Sequence, residues 1–259
     1  CFLSVLLTLL LCSCIVEISP NSIQGSGKIA SEDRQVQGLR GVTLATTGDL
    51  AIALGNQESL RIEAEDNLLP YLETQVRNGT LTIATRPNTN LRPTRPICYA
   101  LTVKSLEALS ITSSGNIAGP LLQADRFTAT ISSSGNMRLA GLNANSLQAQ
   151  ISSSGNMRLA GLNANSLQAQ ISSSGNLEID EGEVNRQSIT ISSSGQYKAG
   201  GVRSQTADVH LSSSGNATIW VTDSLNAQLT SSGNVNYYGR PAITQSMSSS
   251  GKLASLGGK

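Results

Sequence analysis

Ile131 to Gln150 reads ISSSGNMRLAGLNANSLQAQ, and Ile151 to Gln170 repeats it without a change. Looser copies lie on both sides. The glycines of the Ser-Ser-Gly motifs fall at Gly115, Gly135, Gly155, Gly175, Gly195, Gly215, Gly233 and Gly251, twenty residues apart as far as Gly215 and eighteen apart thereafter. A fixed period of this length marks a repeat architecture, in which one unit buries its apolar face only against its neighbours.

The pattern inside the period selects the architecture. Four residues before each glycine stands an apolar residue: Ile111, Ile131, Ile151, Ile171, Ile191, Leu211, Leu229, Met247. Two residues after it comes a second, mostly apolar column: Ile117, Met137, Met157, Leu177, Tyr197, Ala217, Val235, Leu253. Between them apolar and polar residues alternate, as Leu147, Ala149 and Ile151 do with Gln148, Gln150 and Ser152. Period-two alternation places successive side chains on opposite faces of a strand. Ser-Ser-Gly-Asn is expected to form one turn, its glycine supplying a positive φ, and Leu142 to Asn145 a second. Stacked at about 4.8 Å, eight such coils make a rod of roughly 40 Å. Crossovers between parallel strands are right-handed. The expected fold is therefore all-β, a right-handed parallel β-helix with coils of about twenty residues. The shorter late coils keep Leu225 and Ala227 in step with Leu229, so the deletion belongs in a turn.

Residues 35–110 lack the motif but stay β-rich, with alternation at Val42-Leu44, Leu50-Ile52-Leu54, Leu60-Ile62-Ala64 and Leu81-Ile83. Asn78-Gly79 signals a hairpin, and Leu68 to Val76 a short helical turn around Pro70. This half is read as the irregular opening coils and β cap of the same solenoid. A cap is needed because an open end exposes core and unpaired edges. A single domain over 35–259 follows, with 111–259 as the Ser-Ser-Gly coils. Polar, flexible residues around Lys252 and Gly257 to Lys259 are expected to close the far end.

Upstream, Phe2 to Cys12 is apolar over the length of a signal-peptide core. Cys1 rather than Met opens the chain, so residues 1–13 are expected to be an incomplete signal peptide. Leu11-Cys12-Ser13-Cys14 resembles a bacterial lipobox, which implies cleavage before Cys14, its diacylation, and a membrane anchor there. Ile15 stands where inner-membrane retention signals carry Asp. Residues 14–34 then form the lipidated cysteine and a flexible tether. The expected location is exported, as an outer-membrane lipoprotein on the cell surface or the periplasmic side. Once the signal and the lipid account for three of the cysteines, only Cys98 remains, and no internal disulfide is possible. Cys98 itself, between Ile97 and Tyr99, is read as a small buried hydrophobe.

The chain from about 35 to 255 resembles the auto-transporter adhesin head GIN domain family. The resemblance rests on Asp66-Asn67-Leu68-Leu69 with Asn78-Gly79-Thr80-Leu81-Thr82-Ile83, on the recurrent Ser-Ser-Gly-Asn turns, and on Tyr238-Gly239-Arg240-Pro241 before the last Ser-Ser-Ser-Gly. It implies an exported, often lipid-anchored bacterial protein of β-helical character, and brings no catalytic residues.

Candidates for chemistry are few. Glu178, Asp180, Glu181 and Glu183 form one acidic cluster on a single coil; a weak Ca²⁺ site there competes with a plain solvated face. His210, the only histidine, sits at outward parity with no second histidine or nucleophile context. Trp220, Tyr197, Tyr237 and Tyr238 either line a sugar-stacking patch or pack and cap the late coils. The column Asn116, Asn136, Asn156, Asn176, Asn216, Asn234 reads as a structural amide ladder, and a flat Ser face beside it could contact a glycan. A net charge of +1, with no basic run, argues against nucleic acid. The expected function is a non-catalytic, adhesin-like envelope lipoprotein that takes a glycan or protein ligand on its repetitive polar face, without cofactor or metal. An envelope scaffold acting through self-association or a protein partner is the alternative. A polysaccharide-processing β-helix enzyme comes third.

Overall fold

The computed structural model describes residues 21–248 and 250–259. The expected signal and the lipidation at Cys14 lie outside the described residues.

Alternation builds the solenoid as the sequence dictates. Ala108–Ile111 (β10) leads into five strands of sixteen residues, Asn116–Ile131 (β11), Asn136–Ile151 (β12), Asn156–Ile171 (β13), Asn176–Ile191 (β14) and Gln196–Leu211 (β15). Asn216–Leu229 (β16), Asn234–Tyr238 (β17), Ala242–Met247 (β18) and Lys252–Ser255 (β19) complete it. Each long strand is one whole coil apart from its Ser-Ser-Ser-Gly turn. It remains one strand because parallel pairing to the next coil continues around the corners, Asn136 opposite Asn156 through Ile151 opposite Ile171. Leu142 to Asn145, expected as a second turn, is such a corner: Leu142 pairs with Leu162, and the inward parity changes there.

Equivalent side chains stack into columns, buried as far as the last coil. One runs Ile83, Leu44, Ile111, Ile131, Ile151, Ile171, Ile191, Leu211, Leu229, Met247. Another runs Tyr99, Leu50, Ile117, Met137, Met157, Leu177, Tyr197, Ala217, Val235, Leu253. A buried aliphatic of this kind contributes about 1.5–3 kcal/mol relative to exposure. The period drops to eighteen at one corner. Three residues, Gly200 to Val202, have no counterpart between Ile219 and Trp220, and one residue is regained between Val221 and Ser224.

The glycine of the turn has a reason other than the expected one. None of the motif glycines has a positive φ. They are needed for room. A Cβ on Gly155 would lie 2.4 Å from Ile131 Cγ2 and 2.6 Å from the Gly135 carbonyl oxygen, and Gly175 and Gly195 meet the same pair one coil on. The carbonyl that would be struck also accepts the next coil's N–H, as Gly135 does from Asn156. Coils that approach this closely admit no side chain at that point.

The N-terminal cap is irregular, as expected, and larger. Ser22–Gln24 (β1) and Ile29–Arg34 (β2) are strands, whereas the sequence had placed residues 22–34 in a flexible tether. Alternation there is too weak to read, because no residue of β2 is buried on either face. It runs antiparallel to Ser59–Glu65 (β5), which runs antiparallel to Cys98–Val103 (β9). Leu72–Arg77 (β6) and Thr80–Thr85 (β7) form the expected hairpin, with Asn78 at φ 50° and Gly79 at φ 77°. The helical turn is a single 3₁₀ turn, Leu69–Tyr71. Gly41–Ala45 (β3) and Asp49–Leu54 (β4) lie beneath β10 and β11 and join cap to coils, while Asn90–Arg92 (β8) pairs with β1. Arg34 closes the gap between β2 and β6, donating to the carbonyls of Leu72 (2.6 Å) and Leu69 (3.4 Å).

Glu65 fastens the strap that carries β1. Fully buried, it accepts from the Thr94 hydroxyl and N–H (2.8 Å) and from the Gly27 N–H (2.6 Å). The Thr94 hydroxyl above all, with these backbone donors, holds the carboxyl below the ordinary glutamate range despite its burial. A carboxyl whose pKa is depressed by folding stabilises the fold above its unfolded pKa, about 4.3, and that stability is lost as pH falls through the folded value. Glu65→Gln should therefore flatten the acid limb of a melting-temperature profile below about pH 4.3. An acid limb identical in the two proteins would refute this.

Candidate functional site

The face beside the Ser-Ser-Gly turn carries a ladder of amides. Asn136 Nδ2 donates to Asn116 Oδ1 (2.8 Å), Asn156 to Asn136 (2.9 Å), Asn176 to Asn156 (2.7 Å) and Asn234 to Asn216 (2.8 Å). The parallel register makes this unavoidable, since like residues sit one coil apart. The ladder begins outside the motif coils, at Asp49, whose carboxylate accepts from Asn116 (2.8 Å). Gln196 takes the place of an asparagine between Asn176 and Asn216. The glycines Gly115, Gly135, Gly155, Gly175, Gly195, Gly215 and Gly233 are buried beneath it, and Gly251 is half-buried. An asparagine has two N–H donors and two acceptor lone pairs. Within the ladder Asn136 and Asn156 each use one of each, which leaves one of each per coil for a ligand.

Two residues further along each coil, Arg138, Arg158, Glu178 and Lys198 form a second row in register. Between the rows runs a shallow groove of about 260 Å³. Arg158 is tied to Asp180 (2.9 Å), whose hydrogen bond holds the guanidinium still more firmly protonated. Among the described residues Arg138 and Lys198 have no ion-pair partner. The groove thus offers repeated amide groups flanked by two available cations.

The other candidates disperse. Asp180 faces Arg158 and Glu183 lies 3.7 Å from Arg203, while Glu178 stands in register between Arg158 and Lys198 and Glu181 has no ion-pair partner among the described residues. Among the described residues no three His, Cys, Asp or Glu side chains converge on a point that would hold a metal. His210 faces outward, half-buried, between Thr190 and Gln228. Cys98 is exposed, not buried: Ile97 and Tyr99 take the inward positions, and parity sends the residue between them out. Partial burial, with Asp49 and Glu63 nearby, pushes its thiol up, away from nucleophilic reactivity.

The aromatic group also divides. Tyr197 is wholly inside, its hydroxyl donating to Gln187 Oε1 (2.8 Å). Gln187 Nε2 donates in turn to Ser204 Oγ (2.7 Å), which donates to the Trp220 carbonyl (2.8 Å). This buried polar chain was missed by the sequence reading. Trp220 and Tyr238 are opposed in register on the outside, and Lys259 Nζ sits 5.2 Å and 4.8 Å from their ring centres while donating to the Gly200 carbonyl (2.6 Å). A lysine thus covers the aromatic surface. Tyr237 lies half-buried beside the core.

These features define a class: a β-solenoid with in-register amide ladders, this one beside a groove and others at Asn143, Asn163 and at Asn145, Asn165, Asn185. Residues 38–241 match the family model described as "Putative auto-transporter adhesin, head GIN domain", and the chain belongs to that family. A solved structure described as a "Putative lipid binding protein" from Parabacteroides distasonis is 27% identical, with a TM-score of 0.86 over 91% of this chain and 100% of that one. A "putative adhesin" from Parabacteroides merdae superposes with a TM-score of 0.85 at 20% identity, covering 91% of this chain and 99% of its own. A second from P. distasonis gives 0.84 at 23%, covering 91% and 100%. No curated protein matches.

Proposed function

We propose that the protein is a non-catalytic, adhesin-like binding module of the bacterial envelope, exported and anchored in the outer membrane through a lipid on Cys14. Its ligand is a glycan, which lies along the groove between the amide ladder and the row of Arg138, Arg158, Glu178 and Lys198. The observation that carries this reading is the spare N–H and lone pair that Asn136 and Asn156 each present at one-coil intervals. Sugar hydroxyls both donate and accept, so an extended glycan can meet the row at successive rings. Each contact is weak and their sum is not, because later contacts form at high effective concentration. Membership of the adhesin head family supports the direction.

The test is a glycan array probed with the purified protein and with Arg138→Glu/Lys198→Glu. Both side chains are at the surface, so folding should be unaffected and binding to any acidic glycan should fall about tenfold or more. Equal binding by the two proteins, or binding to no glycan, would remove the groove from consideration. Protease shaving of intact cells, with Cys14→Ala alongside, checks the anchor: the wild type should be shaved and the variant released.

A further inference from the structure

The two ends of the solenoid are unlike. At the N-terminal end Val36, Leu39, Leu69 and Leu72 are buried under the antiparallel cap. At the other end β18 lies across the last coil, with Ile243 beneath Leu225, Gln245 beneath Ala227 and Met247 beneath Leu229. Those three partners are fully buried, whereas Ile243 and Met247 are each 42% exposed and Leu256 is 45% exposed. Columns that are dry along the whole rod therefore end in water, where a polar, flexible closure had been expected. Among the described residues β18 pairs only with β16, so its outer edge offers free N–H and C=O groups.

Edge strands are commonly guarded by charge or by an inward lysine. Ala242–Met247, AITQSM, contains no charged residue, while the neighbouring edge strand β19 begins with Lys252. The pattern of β18 is also its own complement. Consider two copies related by a two-fold axis through Gln245. The antiparallel pair then sets Ile243 against Met247 of the partner subunit, Gln245 against Gln245 of the partner subunit, and Thr244 against Ser246 of the partner subunit. Inward residues meet inward residues, so both cores continue across the junction, and one amide pair marks the axis. A register one residue away in sum would place inward against outward side chains and bury neither core.

We infer that β18 is the interface of a two-fold, end-to-end homodimer. The occupant is a second copy because β18, set antiparallel against itself, matches its own unpaired backbone edge and brings the exposed Ile243 and Met247 of the two copies together. The cap also has strands paired on one side only, β2 and β6, but these carry Glu32, Asp33, Arg34, Glu73 and Arg77. Charge of this kind guards an edge, so head-to-tail growth is disfavoured and association stops at two. This inference does not depend on the glycan reading, since the groove lies on the side of the rod.

The test is sedimentation velocity of the purified chain over a concentration series in reducing buffer. A dimer that grows with concentration is expected. Ile243→Lys/Met247→Lys should weaken it by roughly a hundredfold or more, since like charges would face each other across the axis. Register is read in a Cys98→Ser background: Gln245→Cys should give a covalent dimer on mild oxidation, because that residue meets its own copy, and Thr244→Cys should not. A monomer at every concentration, a dimer that survives the lysine pair, or equal cross-linking at 244 and 245 would each overturn the proposal. Circular dichroism confirms that the variants keep their strands.

Discussion

Gly155→Ala is expected to cost about 3 kcal/mol and to lower the melting temperature by about 6–12 °C. The added methyl would meet the Gly135 carbonyl at 2.6 Å and the Ser133 carbonyl at 2.8 Å. Both are backbone atoms of the turn one coil below and neither can swing aside. The strain would have to be relieved by parting two coils, which also lengthens the bond from Asn156 N–H to the Gly135 carbonyl. Gly161→Ala is the matched control, because a Cβ there meets nothing within 4 Å; it should be neutral or slightly stabilising. Thermal unfolding of the two variants decides the matter. Equal melting temperatures would mean that the turn glycine is chosen for something other than space.

The second large effect concerns the chain from Tyr197 through Gln187 to Ser204. Gln187 interrupts a column that otherwise reads Phe127, Leu147, Leu167 before it and Ala207 and Leu225 after it. Gln187→Leu would restore the apolar column but leave the Tyr197 hydroxyl buried without an acceptor, at a cost of about 1–3 kcal/mol. Tyr197→Phe alone would orphan the Gln187 carbonyl oxygen at a similar cost. The double variant removes both partners of that bond and should be close to neutral, so the cycle should show strong coupling. Additive losses, measured by chemical denaturation, would show that the bond has no energetic role. The polar chain also has a use in assembly. Two coils of identical sequence lie next to each other, and nothing in their own contacts distinguishes one register from the next. A buried group that is satisfied in a single arrangement supplies that distinction.

What was legible in the sequence was whatever repeats. The columns from Ile111 to Met247 and from Ile117 to Leu253 could be drawn from spacing alone, because a parallel stack places like residues over like. The outward parity of His210 followed from the same rule. Applied consistently, it would also have sent Cys98 outward, since Ile97, Tyr99 and Leu101 claim the inside. Asp49 at the foot of the amide ladder could not be seen, because it lies 67 residues from Asn116 and belongs to a coil without the motif. Glu65 was hidden for a related reason: its partners Gly27 and Thr94 belong to segments with no periodicity. Gln187 did leave a signal, a single amide in an aliphatic column ten residues before a buried tyrosine. The groove needed coordinates, since the pairing of Arg158 with Asp180 crosses coils out of register, and only that pairing shows which cations remain available.

The unbroken register between Asn136–Ile151 and Asn156–Ile171 has a consequence for how such a chain changes over generations. Unequal exchange between two like stretches of a gene adds or removes a whole unit. In most folds that is ruinous. Here the newcomer finds on each side the surface its parent already fitted, so the reading frame of contacts is kept. Rod length thus becomes a heritable quantity that moves in steps of about 4.8 Å, while cap and terminal strand are left untouched.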